Sequence, residues 1–188
     1  MDRFYYLRHG QVAANLARIL CGGDWQDISL NDTGRAQIKA CASALIQLPH
    51  NIRTVCISPT LRTRETASIL ADSAPQARHV VIEELCEWRL GQWDRKPYEE
   101  VIPKGTSLMD YDPPEGETRE QFGQRIARAF DVCRQQEGDV LIISHGAVWG
   151  ALTRYLGLEN FVCGNGTLLE VRLKEKRKIR ELFSLPQE

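Results

Sequence analysis

Two short apolar runs in this chain end the same way. Phe4-Tyr5-Tyr6-Leu7 leads into Arg8-His9-Gly10, and Val140-Leu141-Ile142-Ile143 leads into Ser144-His145-Gly146. Runs of this length bounded by turn residues read as buried strands, and Val55-Cys56-Ile57 and Val80-Val81-Ile82 are two more. Between them lie segments with helical spacing: Ile38, Cys41, Ala42, Leu45 and Ile46 define one apolar face, and Phe122, Ile126, Ala129, Phe130 and Cys133 another. Strands alternating with helices predict an α/β fold. The expected architecture is a single-domain three-layer sandwich, a mostly parallel central sheet with helices on both faces. A length of 188 residues suits one such domain, 1–188, with a core of useful size.

Local signals place the element ends. Asn31 or Asp32 opens the first helix, and Thr118 with Gln121 has the spacing of a capping box before the second. A further helix over 147–157 carries Val148, Leu152, Tyr155 and Leu156 and stops at Gly157. Residues 167–173 and 179–183 predict a hairpin around the charged segment 174–178, which reads as a solvated turn. The Pro-, Gly- and Asp-rich stretch 103–117 reads as a long surface loop, and 92–117 as a candidate lid.

Charge narrows the choice of partner. Lys plus Arg is 24 against 25 Asp plus Glu, without the basic excess of a protein that coats nucleic acid. An anion site in such a chain must be built from a few clustered cations. No apolar run approaches the length of a bilayer, and the first residues lack a leader pattern, so the expected setting is cytoplasmic with no membrane partner. Cysteines stand singly at 21, 41, 56, 86, 133 and 163, without a Cys-x-x-Cys pair, and read as core thiols in a reducing compartment.

Ligands bind beyond the carboxyl ends of strands in open α/β sheets, so His9 and His145 are expected at one functional edge. His50, after Pro49, and His79, before a strand, lack that setting and read as structural. Arg62 follows Val55-Cys56-Ile57 through Ser58-Pro59-Thr60, and its guanidinium can grip two phosphate oxygens at once; Arg64 points elsewhere on a helix. Arg8, Arg62, the two histidines and the amides opening the helix at Gly146 would form a cradle for a dianion. The sequence shows no carboxylate cluster of the kind magnesium needs, so neither metal nor organic cofactor is expected. A neutral imidazole can attack phosphorus, a protonated one can donate to the phosphoryl oxygens, and Glu87 is the candidate acid for the departing oxygen. For Glu87 the plain alternative is a surface carboxylate. Cys56 and Arg62 also have the Cys-x-x-x-x-x-Arg spacing of cysteine phosphatases, but the intervening residues contain a proline, no glycine, and an apolar residue after the thiol.

Longer motifs carry a resemblance. Arg8-His9-Gly10-Gln11 with Asn15, the segment from Asp27 to Gly34, Ser58-Pro59-Thr60-Leu61-Arg62 with Thr66-Ala67, Leu85-Cys86-Glu87 with Gly91 and Trp93, Gly116-Glu117-Thr118, and Ser144-His145-Gly146 appear in order. Together they are similar to the signatures of the histidine phosphatase superfamily, a phosphoglycerate mutase-like group whose small-phosphatase branch includes enzymes acting on α-ribazole phosphate. The resemblance implies that His9 is phosphorylated in turnover, with Arg8, Arg62 and His145 holding the phosphoryl group and Glu87 as proton donor. It implies substrate-binding positions at Asn15, Gln11 and Gly146. Val12 stands where the family usually has threonine, and Cys21-Gly22-Gly23-Asp24 differs in length; both border the expected substrate mouth. Trp25, Trp93, Tyr98 and Tyr111 are candidates to line that mouth and favour a flat or apolar substrate, or simply to pack.

The resulting expectation is a metal-independent phosphomonoester hydrolase acting on a small-molecule phosphate through phosphohistidine at His9. Mutase-type phosphoryl transfer is the alternative, less favoured because mutase-like members usually carry longer insertions over the pocket. A non-catalytic phosphate-binding module is the other alternative, and a homodimer is left open.

Overall fold

The computed structural model describes all residues except 49–51, 160, 175–176 and 186–188, so the reading of His50 lies outside the described residues. Six strands form one sheet: β1 (Arg3–Arg8), β2 (Ile52–Ile57), β3 (Arg78–Val81), β4 (Asp139–Ser144), β5 (Leu168–Arg172) and β6 (Lys178–Phe183), in the order β3-β2-β4-β1-β5-β6. β1 to β4 run parallel, whereas β5 is antiparallel to both β1 and β6. The two strands that end in His-Gly are therefore central neighbours. Their register pairs Leu7 with Ile143 and Arg8 with Ser144, which makes His9 and His145 the next residues on each strand.

Period-two alternation divides each central strand between the two faces. Phe4, Tyr6, Val140 and Ile142 pack with Phe122, Ile126 and Phe130 of α5 (Arg119–Arg134) and Trp149 and Leu152 of α6 (Gly146–Leu156). Tyr5, Leu7, Leu141 and Ile143 pack on the other face with Ile38, Cys41 and Leu45 of α2 (Asp32–Ile46) and Ala67 of α3 (Leu61–Ile69). Both faces are thus covered, the arrangement the sequence predicts. Two shorter helices, α1 (Ala13–Leu16) and α4 (Tyr98–Val101), lie in the connections. No helix of the described residues is long and apolar enough to cross a membrane.

Caps fall where the sequence signals them. Asn31 Oδ1 accepts the Gly34 N–H at 2.7 Å, and Thr118 and Gln121 exchange side chain and backbone hydrogen bonds. Gly157 closes α6 at φ 61°, while the helix begins at Gly146, one residue earlier than expected. β5 and β6 form the expected hairpin. The reading of Val80-Val81-Ile82 as a buried strand is corrected: β3 is an edge strand, Val81 is 50% exposed, and Ile82 lies past its end. An edge strand has a neighbour on only one side, so alternation cannot bury all of it. His79 is exposed on this strand. The stretch 103–117, expected as a loop, holds a short turn of helix at Leu108–Asp110, and the wider candidate lid 92–117 also holds α4. Trp93, Tyr98, Val101, Leu108 and Met109 pack its inner side against the core.

Close approach between the β1 exit and the α2 start rests on a glycine. A Cβ at Gly34 would stand 2.1 Å from the Gln11 carbonyl oxygen, and both partners there are backbone. Gly34→Ala should therefore lower stability by roughly 1–3 kcal/mol, read as a lower urea midpoint at unchanged slope. Gly123, inside α5 with open space around its Cα, gives the control: Gly123→Ala should raise stability by about 0.5–1 kcal/mol. Equal shifts in the two variants would contradict this account of the packing.

Candidate active site

The parallel register delivers the two imidazoles to one place. Their ring centroids are 5.1 Å apart in an edge-on arrangement, and both rings are buried. The His9 backbone is fixed on both sides: its N–H donates to the Ser144 carbonyl at 3.0 Å, and its carbonyl accepts from Gly166 N–H and from Asn165 Nδ2. The His9 ring then bonds through Nδ1 to the Gly10 carbonyl at 2.7 Å. A carbonyl can only accept, so Nδ1 carries the proton and Nε2 carries the lone pair. His145 bonds through Nε2 to the Ser58 hydroxyl at 2.7 Å, and its carbonyl accepts the Tyr6 hydroxyl.

Two guanidinium groups flank the rings. Arg8 ends β1, donates to the Cys163 carbonyl at 2.9 Å, and lies against Gly146, where a Cβ would come within 3.2 Å of the guanidinium carbon. Arg62, on α3, is only 1% exposed and donates to the carbonyls of Trp25 and Gly22. Arg8 Nε, Arg62 Nε and His145 Nδ1 are buried without hydrogen-bond partners. Buried polar atoms are normally satisfied, and these three belong to groups whose charges act on one another, a set that a multidentate anion would satisfy. Glu87 faces them, its carboxylate accepting the N–H groups of Trp88 and Ala147.

Burial and the charges of Arg62 and Arg8 hold His9 well below the usual histidine value. Burial, Arg62, His9 and Arg8 do the same to His145. Both shifts disfavour the protonated His145 that the sequence reading expects and favour the neutral form of each ring. Burial moves Glu87 the opposite way, raising it above the usual carboxylate value against the pull of its two N–H donors and of Arg62 and Arg8.

The site opens into a cavity of about 700 Å³ lined by Arg8, His9, Asn15, Glu87 and Gly146, with Tyr98 on the wall. Asn15 Oδ1 accepts from the Val12 N–H, which leaves its amide nitrogen as the donor for a ligand. Arg62 and His145 stand behind the lining, and Gln11 is turned away, since its side chain oxygen accepts from Asn31 Nδ2 and its backbone N–H donates to Gln37. Of the four aromatic candidates, only Tyr98 lines the cavity; Trp25 lies under the Arg95 guanidinium, Trp93 packs on the core, and Tyr111 is half-buried outside it. Cys56 is fully buried in the core with Cys133, whose thiol is pushed up by their mutual hydrogen bond and by burial. Among the described residues, no group of three or more His, Cys, Asp or Glu stands together as a metal site.

Sequence reasoning missed three supporting residues. Ser58 stands in a turn and in a family motif with no role of its own assigned from sequence, and Asn165 carries no local signal. Arg125 pairs with Glu117 at 2.6 Å and donates to the carbonyls of Glu84, Cys86 and Glu87, so it clamps the segment that presents the Glu87 carboxylate. Its signal was an arginine on the apolar face of α5, beside Phe122 and Ile126.

Known proteins share this organisation. The chain is 29% identical over 171 residues to the probable phosphoglycerate mutase GpmB of Yersinia pestis, covering 84% of this chain and 76% of that protein. It is 28% identical over 164 residues to agropine synthesis reductase of Rhizobium rhizogenes, of which it spans only 35% while using 83% of its own length. Among solved structures, TTHB049 of Thermus thermophilus superposes with a TM-score of 0.76 at 23% identity, covering 95% of this chain and 98% of that one. An Escherichia coli protein described as a candidate alpha-ribazole-5'-P phosphatase superposes with a TM-score of 0.79 at 22% identity, covering 98% of each chain. These superpositions establish the fold. The model of the histidine phosphatase superfamily (branch 1) matches residues 4–183, and with the paired imidazoles at the sheet edge this chain belongs to that family.

Proposed function

We propose that this protein is a metal-independent phosphomonoester hydrolase acting on a small-molecule phosphate through a phosphohistidine at His9. The observation that carries the reading is the His9 Nδ1–H bond to the Gly10 carbonyl, which turns an uncharged Nε2 lone pair toward a site flanked by two guanidinium groups. That nitrogen forms a bond to phosphorus as the ester P–O bond breaks. Protonated Glu87 transfers its proton to the departing oxygen, giving the free alcohol. A water molecule then attacks the phosphohistidine, Glu87 takes up a proton from it, and phosphate leaves with His9 restored.

Arg8 and Arg62 offset the charge on the phosphoryl oxygens, and that donor set favours an anion over a metal cation. Asn15 and the amides at the start of α6 add neutral donors. His145 can serve without a positive charge: if the Ser58 hydroxyl donates to Nε2, the proton resides on Nδ1, which is buried with no protein partner and is left to donate to a phosphoryl oxygen. The segment 92–117 is the candidate lid over this pocket. Transfer to a second alcohol instead of water is the competing reading, favoured by the name of the Yersinia relative. Formation of 2-phosphoglycerate from 3-phosphoglycerate faster than phosphate release would establish it.

With p-nitrophenyl phosphate and a chelator present, the protein should release p-nitrophenol and hold acid-labile phosphate. His9→Ala should lower the rate on the order of 10⁴-fold or more and abolish the labile phosphate, whereas Cys56→Ser should leave turnover near wild type. The opposite pattern would move the chemistry to the thiol.

Glu87→Gln should slow hydrolysis of an alkyl phosphate roughly 10²- to 10⁴-fold and that of p-nitrophenyl phosphate far less, because p-nitrophenolate leaves without a proton. For the wild type, kcat/KM on the alkyl ester should fall as pH rises through the Glu87 value, which lies above 4.5, and Glu87→Gln should remove that limb. Uniform slowing of both esters would take Glu87 out of the acid role.

Stability should respond to the neutral imidazoles. The folded values of His9 and His145 lie below 6.5, so in acid the unfolded chain binds more protons than the folded one. Unfolding free energy should therefore fall as pH drops below about 6.5 and be fully retained above it. Replacing both histidines by glutamine should flatten that slope, as measured by urea midpoints across the range; an unchanged slope would contradict it.

A further inference from the structure

The Arg62 guanidinium is held by two backbone carbonyls. Nη1 donates to Trp25 at 2.8 Å and Nη2 to Gly22 at 3.4 Å, while Nε is buried without a partner. A planar guanidinium gripped at two of its nitrogens keeps one orientation, so whatever fixes those carbonyls fixes the arginine. Both carbonyls belong to the irregular stretch between α1 and α2.

Two adjacent residues of the segment 92–117 reach that stretch. Asp94, whose side chain is 11% exposed, accepts the Gly22 N–H at 2.6 Å. Arg95 lays its guanidinium 4.9 Å from the centre of the Trp25 ring. Each therefore engages one of the two residues whose carbonyls hold Arg62. The backbone doubles the link, since Arg95 N–H donates to the Leu20 carbonyl and Leu20 N–H to the Lys96 carbonyl, both at 2.8 Å. Gly22 has little room on its other side: a Cβ there would stand 2.8 Å from the Trp88 carbonyl oxygen. Arg95 sits at φ 65°, a left-handed backbone that glycine takes most readily, so its stacking on Trp25 is made against a conformational cost.

We propose that Asp94 is a positioning residue for Arg62, assisted by Arg95, and that these two residues set the grip on the phosphoryl group from outside the pocket. Neither lines the cavity. The carboxylate holds Gly22 through a charge-assisted hydrogen bond. Without it the Gly22 carbonyl is free to shift, the guanidinium swings with it, and a displacement of about 1 Å at such a group can cost up to about 100-fold in rate. The proposal rests on the role given to Arg62 in the phosphoryl site.

Turnover of p-nitrophenyl phosphate and calorimetric binding of inorganic phosphate test it, and both keep Glu87 out of the readout. Asp94→Ala should lower kcat/KM and weaken phosphate binding about tenfold or more. Asp94→Asn, whose amide oxygen can still accept the Gly22 N–H, should stay within about threefold of the wild type. Arg95→Gly suits the φ of that position and keeps the fold; it should weaken both readouts about two- to fivefold, the scale of a lost cation–π contact. In an Arg62→Lys background the Asp94→Ala and Arg95→Gly changes should each cost less than about twofold, because the group they position is gone. Equal losses in the two backgrounds, or no loss beside Arg62, overturn the proposal, and Arg95→Gly decides alone if Asp94→Ala does not fold. Phosphate bound by Arg62→Lys as tightly as by the wild type overturns instead the phosphoryl-site role of Arg62.

Discussion

Parallel pairing of β1 with β4 is the constraint on which the site depends. Because Arg8 lies opposite Ser144, the next residue on each strand is a histidine, and the two rings stand 5.1 Å apart without any loop having to bring them together. A slip of one residue would turn Tyr6 and Ile142 from the α5 and α6 side to the other face. The packing that buries those side chains thus also fixes the imidazoles.

The same burial makes the pocket electrostatically expensive. Two guanidinium groups and two imidazoles share a buried region in which Glu87 is the facing carboxylate, itself raised by burial. Neutral imidazoles are the cheapest response, because charging either would add repulsion to desolvation. The cost is contained by polar scaffolding at the edges. Carbonyls of Trp25, Gly22 and Cys163 accept hydrogen bonds from the guanidinium N–H groups, and the Arg125–Glu117 pair fixes the backbone that presents Glu87. An arriving phosphate would supply the countercharge that the protein leaves out.

Much of this was legible in the sequence because its signals are local. Apolar runs, capping residues at Asn31 and Thr118, and the glycine after each histidine depend only on near neighbours. The family motifs were equally contiguous. What escaped notice depends on contacts distant in sequence. Val81 gave the same apolar signal as the central strands, and only its place at the sheet edge exposes it. Gln11 sits two residues from His9, yet it turns to Asn31 because α2 packs close behind it. Asn165 reaches His9 across 156 positions. Ser58 finds His145 across 87, a pairing that no spacing along the chain reveals.

Residue order alone determined the α/β class, the two histidine-bearing strands and the chemical character of the site, since secondary structure follows periodicity and side chain chemistry follows identity. Tertiary structure decided the downward shift of His145, the orientation of the His9 lone pair, and which of the candidate aromatic residues lines the cavity. Those properties come from burial and from hydrogen bonds between distant segments, and a linear sequence contains neither until the sheet has closed.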